Sequence, residues 1–306
     1  MYKFNKILVG LDQSDMDHEL IDAACKLCQL SGSSEVCFMN LIRDFHMPEE
    51  VLREFPDLLE KAIKEREDAI RKAVDEQFSC PQVKVTFVIK QGQATKEIMK
   101  YSQEEKADLI ILGRKNEKES GGIIISRVAR RAGCSLLVLP KGHVVDFDKI
   151  LIPSDFSDYS KIAMEKAIEI SEALDNKPEI TIQNVYQVPS GYHYTGKTYA
   201  EFAVVMEEHA RKDFAQFTAG MNISDLNLNT VYTLDKNEDV IGNIYQEAKA
   251  QKAKLIIIGA KGRTATTALF IGSKAETLIQ IDSDIPLLVV RPKGKKAGLI
   301  EYLQEL

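Results

Sequence analysis

Apolar residues along this chain fall into short continuous runs separated by longer amphipathic segments. In the second half the runs have the length and β-branched content of strands, and they span residues 150–153, 180–186, 228–233, 255–259 and 287–290. Helical spacing of apolar residues marks 157–174, 199–219 and 239–250, and a further helix is expected before the last strand. Short strands that are apolar throughout are typical of a sheet covered by helices on both faces, so the pattern predicts an α/β fold with a parallel, doubly wound sheet. The first half follows the same pattern, and its residues 49–77 are predicted to form one long helix with a solvated, charged face.

Three segments of the first half recur in the second half in the same order. "NKILVGLDQSD" (5–15) resembles "DKILIPSDFSD" (148–158), "KADLIILGRK" (106–115) matches "KAKLIIIGAK" (252–261), and "CSLLVLPKG" (134–142) resembles "IPLLVVRPKG" (285–294). Such a repeat indicates two copies of one domain. The predicted boundaries are 1–143 for the first copy, 144–294 for the second and 295–306 for a C-terminal tail.

Composition narrows the class of protein. The 306 residues are 44% apolar and 28% charged, which is typical of a globular protein with enough material for two cores. No stretch approaches the roughly 18 consecutive apolar residues of a membrane span, and the first ten residues do not resemble a signal peptide. A net charge of −6 argues against bulk nucleic-acid binding. We therefore expect a cytoplasmic protein with no membrane and no nucleic-acid partner.

The cysteines and histidines do not form a metal-binding pattern. The five cysteines are Cys25, Cys28, Cys37, Cys80 and Cys134. An odd, sparse set in a chain of this length is typical of reduced thiols in a cytoplasm. Cys25 and Cys28 form a CxxC within a helical pattern that has no second pair, which favours core thiols over a zinc or redox site. The five histidines lack HxxxH spacing, so no metal site is expected.

The segment "IIIGAKGRTATTALFIGSKAE" (256–276) carries the clearest chemical signal. A predicted strand ends at Gly259, and Gly262, Gly272 and Ser273 follow before the next helix. In an open parallel sheet, ligands bind beyond the carboxyl ends of the strands, where glycines allow the backbone to turn and to approach a ligand closely. A helix N-terminus adds N–H donors and a positive dipole end, which suits phosphate. Positive charge nearby comes from Lys261, Arg263 and Lys274.

Two known phosphate motifs do not fit this segment. It lacks the GKS or GKT of a Walker loop, and it is not the GxGxxG dinucleotide fingerprint. The structural alternative is a glycine-rich turn in which Ser273 caps the following helix.

The spacing Gly259-x2-Gly262-x9-Gly272-Ser273 resembles the ATP-binding motif of the universal stress protein family. "ILIPSDFSD" (150–158) is similar to that family's first strand and acidic turn, and "IPLLVVRPK" (285–293) to its last strand. The resemblance extends over nearly the whole chain, to about residue 294. It implies two tandem five-stranded, parallel, doubly wound (Rossmann-like) domains with strand order 3-2-1-4-5.

The resemblance also assigns roles to residues of the second copy. Asp155 would accept hydrogen bonds from the ribose hydroxyls, a role that requires an acceptor. Pro153 and Ser154 would line the adenine side, and Val185 would present its backbone to the adenine edge. The alternative for Asp155 is an N-cap of the following helix.

The remaining predicted contacts are with ribose and phosphates. Gly259 and Gly262 would let the chain curl beneath them, and Gly272 and Ser273 would donate hydrogen bonds to the phosphates. The full set of nucleotide-binding candidates is Pro153, Ser154, Asp155, Val185, Gly259, Gly262, Arg263, Gly272, Ser273 and Lys274.

The first copy departs from this motif. It keeps Asp12 and Gly113, but its loop has seven residues (114–120) where the second copy has twelve (260–271). Glu117 and Glu119 place negative charge where phosphates would lie, which repels them. We expect the first copy to bind ATP poorly or not at all, and to serve as a packing partner or to bind another ligand.

The resemblance and the complete motif of the second copy together imply a cytoplasmic stress-response protein that binds ATP, with or without Mg²⁺, in its second domain as a regulatory ligand. One alternative is a slow ATPase or phosphotransfer protein, although no catalytic residue can be placed against the γ-phosphate. The other is a nucleotide-free interaction scaffold. Protein partners and a homo-oligomer both stay open.

Overall fold

The computed structural model describes residues 4–42, 49–115, 121–262, 271–281 and 284–292. The chain divides into two units, one ending at Val145 and the other beginning at Asp146. The predicted C-terminal tail, 295–306, lies outside the described residues.

The first unit is a parallel sheet with helices between its strands. Its strands are β1 Lys6–Leu11, β2 Glu35–Ile42, β3 Lys84–Gln91, β4 Leu109–Arg114 and β5 Ser135–Pro140. Its helices are α1 Asp17–Ser31, α2 Glu49–Glu54, α3 Leu58–Gln77, α4 Ala94–Glu104 and α5 Gly121–Arg131. The strand order is β3-β2-β1-β4-β5, and α1 packs on α3 while α4 packs on α5.

The second unit repeats this arrangement. Its strands are β6 Lys149–Pro153, β7 Glu179–Tyr186, β8 Asn227–Leu234, β9 Leu255–Gly259 and β10 Leu287–Val290. Its helices are α6 Asp158–Ala173, the 3₁₀ helix Ser190–Thr195, α7 Tyr199–Phe217, α8 Val240–Ala250 and α9 Ser273–Gln280. The strand order is β8-β7-β6-β9-β10. Both units therefore have the predicted order 3-2-1-4-5, and the α/β fold class is confirmed.

The apolar runs form the cores of the two units. In β1 and β4, Ile7, Val9, Ile110 and Ile111 have no exposed surface, because helices cover both faces of these central strands. The edge strands β3 and β8 are half-buried along most of their length. Parallel pairing of β6 with both β7 and β9 brings the carboxyl ends of these strands to one edge of the sheet.

One predicted helix is wrong in its extent. Residues 49–77 form two helices, α2 and α3, rather than one. Pro56 stands between them, and proline lacks a backbone N–H and disfavours helical geometry in the residue before it, here Phe55. Helix α3 then begins, with the N–H of Leu58 donating to the Phe55 carbonyl and that of Lys61 to the Asp57 carbonyl.

The cysteines lie in the core of the first unit. All five are buried and unbridged, and Cys25 Sγ lies 3.1 Å from Cys80 Sγ. Burial raises the pKa of the Cys28 thiol to about 11 and that of Cys80 to about 12. Among the described residues, no group of three His, Cys, Asp or Glu side chains is placed to hold a metal ion. No helix in the described part of the chain combines the length and the apolar character needed to cross a membrane.

Candidate functional site

The turn that follows β6 carries Asp155 beyond the edge of the sheet. Ser154 makes the last backbone bond of the β6–β7 ladder, from its N–H to the carbonyl of Gln183 at 2.8 Å. The Ser154 carbonyl then accepts a bond from Asn184 Nδ2 at 2.8 Å. A side chain thus replaces the ladder at the point where the chain leaves the sheet, and Pro153 and Ser154 stay buried beneath the turn.

Asp155 is joined to the start of α6 by three hydrogen bonds. Its N–H donates to Ser160 Oγ at 3.3 Å, and the Ser160 hydroxyl donates to Asp155 Oδ1 at 2.8 Å. The N–H of Ser157 donates to the same Oδ1 at 3.1 Å. Ser157 itself is the N-cap, because its Oγ accepts from the Ser160 N–H. The alternative that Asp155 caps the helix is therefore wrong, although Oδ1 does hold the turn that leads into it.

Phe156 continues this turn in a left-handed conformation, with φ of 60°. A non-glycine residue rarely adopts such a φ, and the surrounding contacts must offset its cost. The Phe156 ring contacts Phe214 and Phe217 of α7, with centroid distances of 6.1 and 5.4 Å. The N–H of Phe156 also donates to Ser154 Oγ. Packing on α7 therefore stabilises the backbone that presents Asp155.

The glycines after β9 allow close approaches that a side chain would block. A Cβ on Gly259 would lie 2.5 Å from the carbonyl oxygen of Tyr159, and a Cβ on Gly262 would lie 2.6 Å from Asp155 Oδ2. Residue 262 is thus bare backbone beside the carboxylate. The turn that carries Asp155 (the acid turn, residues 154–157) and the segment that follows β9 (the glycine loop, residues 260–272) are about a hundred residues apart in sequence, and they meet at this point.

The far end of the loop returns to the same place. The N–H of Gly272 donates to the carbonyl of Ala260 at 2.7 Å, and a Cβ on Gly272 would lie 3.2 Å from the Cα of Lys261. The start of α9 is therefore held against the backbone that follows β9. Residues 263–270 lie outside the described residues, and Arg263 is among them.

Helix α9 begins beside this loop without a side-chain cap. Gly272 occupies the N-cap position and Ser273 is the first helical residue, so the alternative in which Ser273 caps the helix is wrong. First-turn N–H groups have no partner within their own helix. Lys274 lies exposed in this turn, where the helix dipole disfavours a cation. An anion bound at the helix start would offset that cost.

Val185 lies on β7, next to the acid turn. Its neighbour in register on β8 is Thr233, while β6 ends opposite Gln183. The Gln183 carbonyl points toward β6, and backbone groups two residues apart in a strand point the same way. The N–H and C=O of Val185 therefore point to the β6 side, at a level that β6 does not reach.

Lys261 supplies positive charge within the loop. The residue is buried, with 5% of its surface exposed, and its Nζ lies 5.9 Å from the ring centroid of Tyr159. Lys274, in the first turn of α9, is a second cationic residue of this region and is exposed.

The equivalent turn of the first unit has different side chains. Asp12 pairs with Lys115, with 2.6 Å between Oδ2 and Nζ. Burial opposes the charged form of Asp12, but the Lys115 ammonium and the nearby Ser14 outweigh it and lower the pKa. Glu117 and Glu119, on which the sequence argument against ATP depends, lie outside the described residues.

Asp17 takes the place in the first unit that Ser160 has in the second. Its carboxylate accepts the N–H groups of Asp12 and Gln13 at 3.1 and 2.9 Å. Burial raises the pKa of Asp17 to about 6, despite these two bonds. The first unit therefore holds two neighbouring carboxylates where the second has one carboxylate and one hydroxyl.

A sequence model of the universal stress protein family matches residues 3–140 and 146–291. The chain belongs to this family. Each half of the protein carries one copy of the family domain, so the tandem arrangement expected from the internal repeat is confirmed.

Solved structures of similar overall fold cover nearly the whole chain. A universal stress protein from Archaeoglobus fulgidus DSM 4304 is 16% identical with a TM-score of 0.64, over 96% of this chain and 98% of that one. A putative universal stress protein from Pseudomonas aeruginosa UCBPP-PA14 is 18% identical with a TM-score of 0.61, over 99% and 97% of the two chains. At these identities the likeness concerns the fold. No curated protein sequence matches the chain.

Sequence analysis missed two residues that hold the acid turn, Ser160 of α6 and Asn184 of β7. Each bonds to the Ser154–Asp155 peptide unit or to the Asp155 side chain. The signal for Asn184 was present in the repeat, because "FMNL" (38–41) and "IQNV" (182–185) both place an asparagine within an otherwise largely apolar strand. Ser160 carried no such signal, since its counterpart in the first copy is Asp17.

Proposed function

We propose that this universal stress protein binds ATP in its second unit and uses it as a regulatory ligand in a cytoplasmic stress response. The proposal rests on one observation: Asp155 Oδ2 lies so close to Gly262 that a Cβ added to this glycine would be 2.6 Å from the oxygen. A hydrogen-bond acceptor for a sugar and a glycine backbone suited to phosphates are thereby adjacent.

The nucleoside would occupy the edge of the sheet between the acid turn and β7. The ribose hydroxyls would donate to Asp155, whose Oδ1 is already held by Ser157 and Ser160, which fixes the carboxylate before a ligand arrives. The adenine would lie against Pro153 and Ser154, with the backbone of Val185 at its edge. Backbone N–H and C=O groups can distinguish an amino-substituted ring edge by hydrogen bonding.

The phosphates would lie along the glycine loop and the start of α9. Gly259, Gly262 and Gly272 leave bare backbone there, and Ser273 and Lys274 stand exposed at the helix start. A polyphosphate would gain the N–H groups of the first turn and the charges of Lys261 and Lys274. Mg²⁺ accompanying ATP would be held chiefly by phosphate oxygens and water. Arg263 is proposed to contribute from the loop.

A regulatory role is favoured because the hydrogen bonds of the Asp155 carboxylate suit a residue that binds a ligand rather than one that transfers a proton. Asp155 Oδ1 accepts two bonds from the start of α6, which stabilises the charged acceptor and suits ribose binding better than proton transfer. Phosphoryl transfer would also need a group that orients the attacking nucleophile. The binding experiment below separates the regulatory protein, the ATPase and the nucleotide-free scaffold.

The test begins with the nucleotide content of the purified protein, by acid extraction and chromatography, and with calorimetric titration of ATP, ADP and AMP. ATP retained without phosphate release supports the proposal. Continuous phosphate release with Mg²⁺ would assign an ATPase instead. A protein that purifies empty and shows no heat and no thermal shift with ATP would leave the scaffold.

Paired glycine variants locate the site. Gly272→Val puts a side chain 3.2 Å from the Cα of Lys261, and together with Gly262→Val it is expected to abolish ATP binding. The matched control is Gly122→Val in the first unit, where an added Cβ meets no atom within 4 Å. Equal loss of binding in the control would place the nucleotide elsewhere.

A further inference from the structure

One side-chain contact is present at the same position in both units. In the second unit, Asn184 Nδ2 donates to the carbonyl of Ser154 at 2.8 Å. In the first unit, Asn40 Nδ2 donates to the carbonyl of Leu11 at 2.9 Å. Each acceptor is the residue immediately before the acid, and both asparagines are buried, with 9% and 0% of their surface exposed.

The contact controls a peptide group that is held at both ends. The Ser154 carbonyl and the Asp155 N–H belong to one rigid plane. Asn184 holds the carbonyl from the strand side, while Ser160 Oγ holds the N–H from the helix side at 3.3 Å. Rotation of this plane would change φ of Asp155, and with it the direction of the carboxylate, and would break both bonds.

The first unit shows which half of this arrangement changes between the copies. There the Asp12 N–H is held by Asp17 rather than by a serine. The strand-side asparagine is retained, because a buried carbonyl needs a donor and asparagine supplies one without a charge.

We propose that Asn184 is the positioning residue of the ribose-binding carboxylate: by fixing the Ser154–Asp155 peptide it sets where Asp155 Oδ2 lies relative to the glycine loop. This inference rests on the proposed binding of ATP by the second unit. Asn184 acts through Asp155, so its effect must depend on whether the ligand uses Asp155 at all.

The experiment compares two substitutions with two ligands. Asn184→Leu removes the donor at nearly constant size, and Asn40→Leu removes the equivalent donor of the first unit, together with the bond that Asn40 Oδ1 accepts from Arg66. ATP and 2′,3′-dideoxy-ATP are titrated by calorimetry into each full-length variant. The dideoxy ligand lacks both hydroxyls that would reach Asp155.

Asn184→Leu is expected to weaken ATP binding about tenfold while changing the affinity for the dideoxy ligand less than about twofold. Asn40→Leu is expected to lower the thermal midpoint at least as much and to leave both affinities unchanged. Equal weakening of both ligands by Asn184→Leu would show a general structural loss and overturn the inference. Unchanged ATP affinity in Asn184→Leu would overturn it too.

Two further outcomes keep the test decisive. If Asn184→Leu does not fold, Asn184→Ala with Asn40→Ala as its control carries the same comparison. If the wild-type protein binds neither ligand, the proposed function fails, and the inference fails with it. Wild-type binding with no selective effect of the substitution overturns the inference alone.

Discussion

The two acid turns share a left-handed residue after the acid, but they differ in length and in chemistry, because α1 begins five residues after Asp12 and α6 three residues after Asp155. Asp12 and Asp155 each follow the first strand of their unit, and the next residue in each turn, Gln13 or Phe156, has a φ close to 60°. In the second unit, the Ser160 hydroxyl donates a hydrogen bond to the Asp155 carboxylate and stabilises its charge. In the first unit, Asp17 stands at that position, and the acid pairs with Lys115 within the protein.

The comparison shows that the strand-side contact of a site can be the same in two copies whose side-chain chemistry differs. The turn is shaped by contacts with the strand and the helix, which tolerate either serine or aspartate as the acceptor of the Asp12 or Asp155 N–H. Ligand binding depends instead on the local charge. Two carboxylates side by side repel a phosphorylated ligand more strongly than one carboxylate with a hydroxyl partner.

The largest expected effect contrasts Asp155→Asn with Asp12→Asn. The asparagine at 155 keeps an oxygen for Ser157 and Ser160 but loses the charge that would bind the ribose. Charge-assisted hydrogen bonds contribute about 1.5–3 kcal/mol each, so ATP affinity should fall about 100-fold. Asp12→Asn should leave the affinity within about twofold. Calorimetry of both variants checks this, and equal affinities would show that Asp155 does not contact the ribose.

A pH titration should separate the two turns next. The pKa of Asp17 is raised to about 6, so the folded state holds this proton more tightly than the unfolded chain does. Its stabilising contribution is therefore complete below the ordinary pKa of 3.8 and is lost as the pH rises through 6. The wild type should therefore lose stability relative to Asp17→Ser as the pH rises. Between pH 4 and 7, the free energy of unfolding of the variant minus that of the wild type should increase by on the order of 1–3 kcal/mol.

Urea unfolding of both proteins at several pH values measures this gain. Lost hydrogen bonds to Asp12 and Gln13 give a constant offset, so the slope with pH carries the prediction. A flat difference would mean that Asp17 titrates near its ordinary value. The control is Ser102→Ala, which removes a buried hydroxyl that donates to the Met99 carbonyl and should add no slope.

Comparison of these turns also shows what a sequence can reveal. The fold followed from the apolar runs and the internal repeat, because burial of central strands such as β1 and β9 depends on local composition. The glycine loop and Asp155 followed from spacing. The left-handed residues did not, because neither Gln13 nor Phe156 has a side chain that favours positive φ. The contact of Ser160 depends on tertiary pairing and carries no sequence signal, whereas Asn184 is marked only by the asparagine that recurs in the repeat.

The left-handed residues give a prediction in which the same change has opposite signs. Gln13 is exposed, so Gln13→Gly should relieve backbone strain and raise the free energy of unfolding by about 0.5–1 kcal/mol. Phe156→Gly relieves similar strain but loses the ring contacts with Phe214 and Phe217, and should lower it by about 1–2 kcal/mol. Thermal and urea unfolding test both. A shift of the same sign in the two variants would mean that backbone strain, rather than packing on α7, governs both turns.

The smallest expected effect concerns the ion pair of the first turn. Lys115→Met removes the ion-pair partner of Asp12. In the wild type the Asp12 side chain is 56% exposed and that of Lys115 is 23% exposed. Exposed pairs contribute roughly 0–1 kcal/mol, so the free energy of unfolding at neutral pH should fall by less than about 1 kcal/mol. The loss should shrink further in molar salt, because ions screen such pairs. The variant should also move the pKa of Asp12 upward, since the Lys115 bond contributes to its lowering. NMR titration of the Asp12 carboxyl carbon would detect that shift, and an unchanged pKa would mean that the Lys115 ammonium does not stabilise the charged form of Asp12.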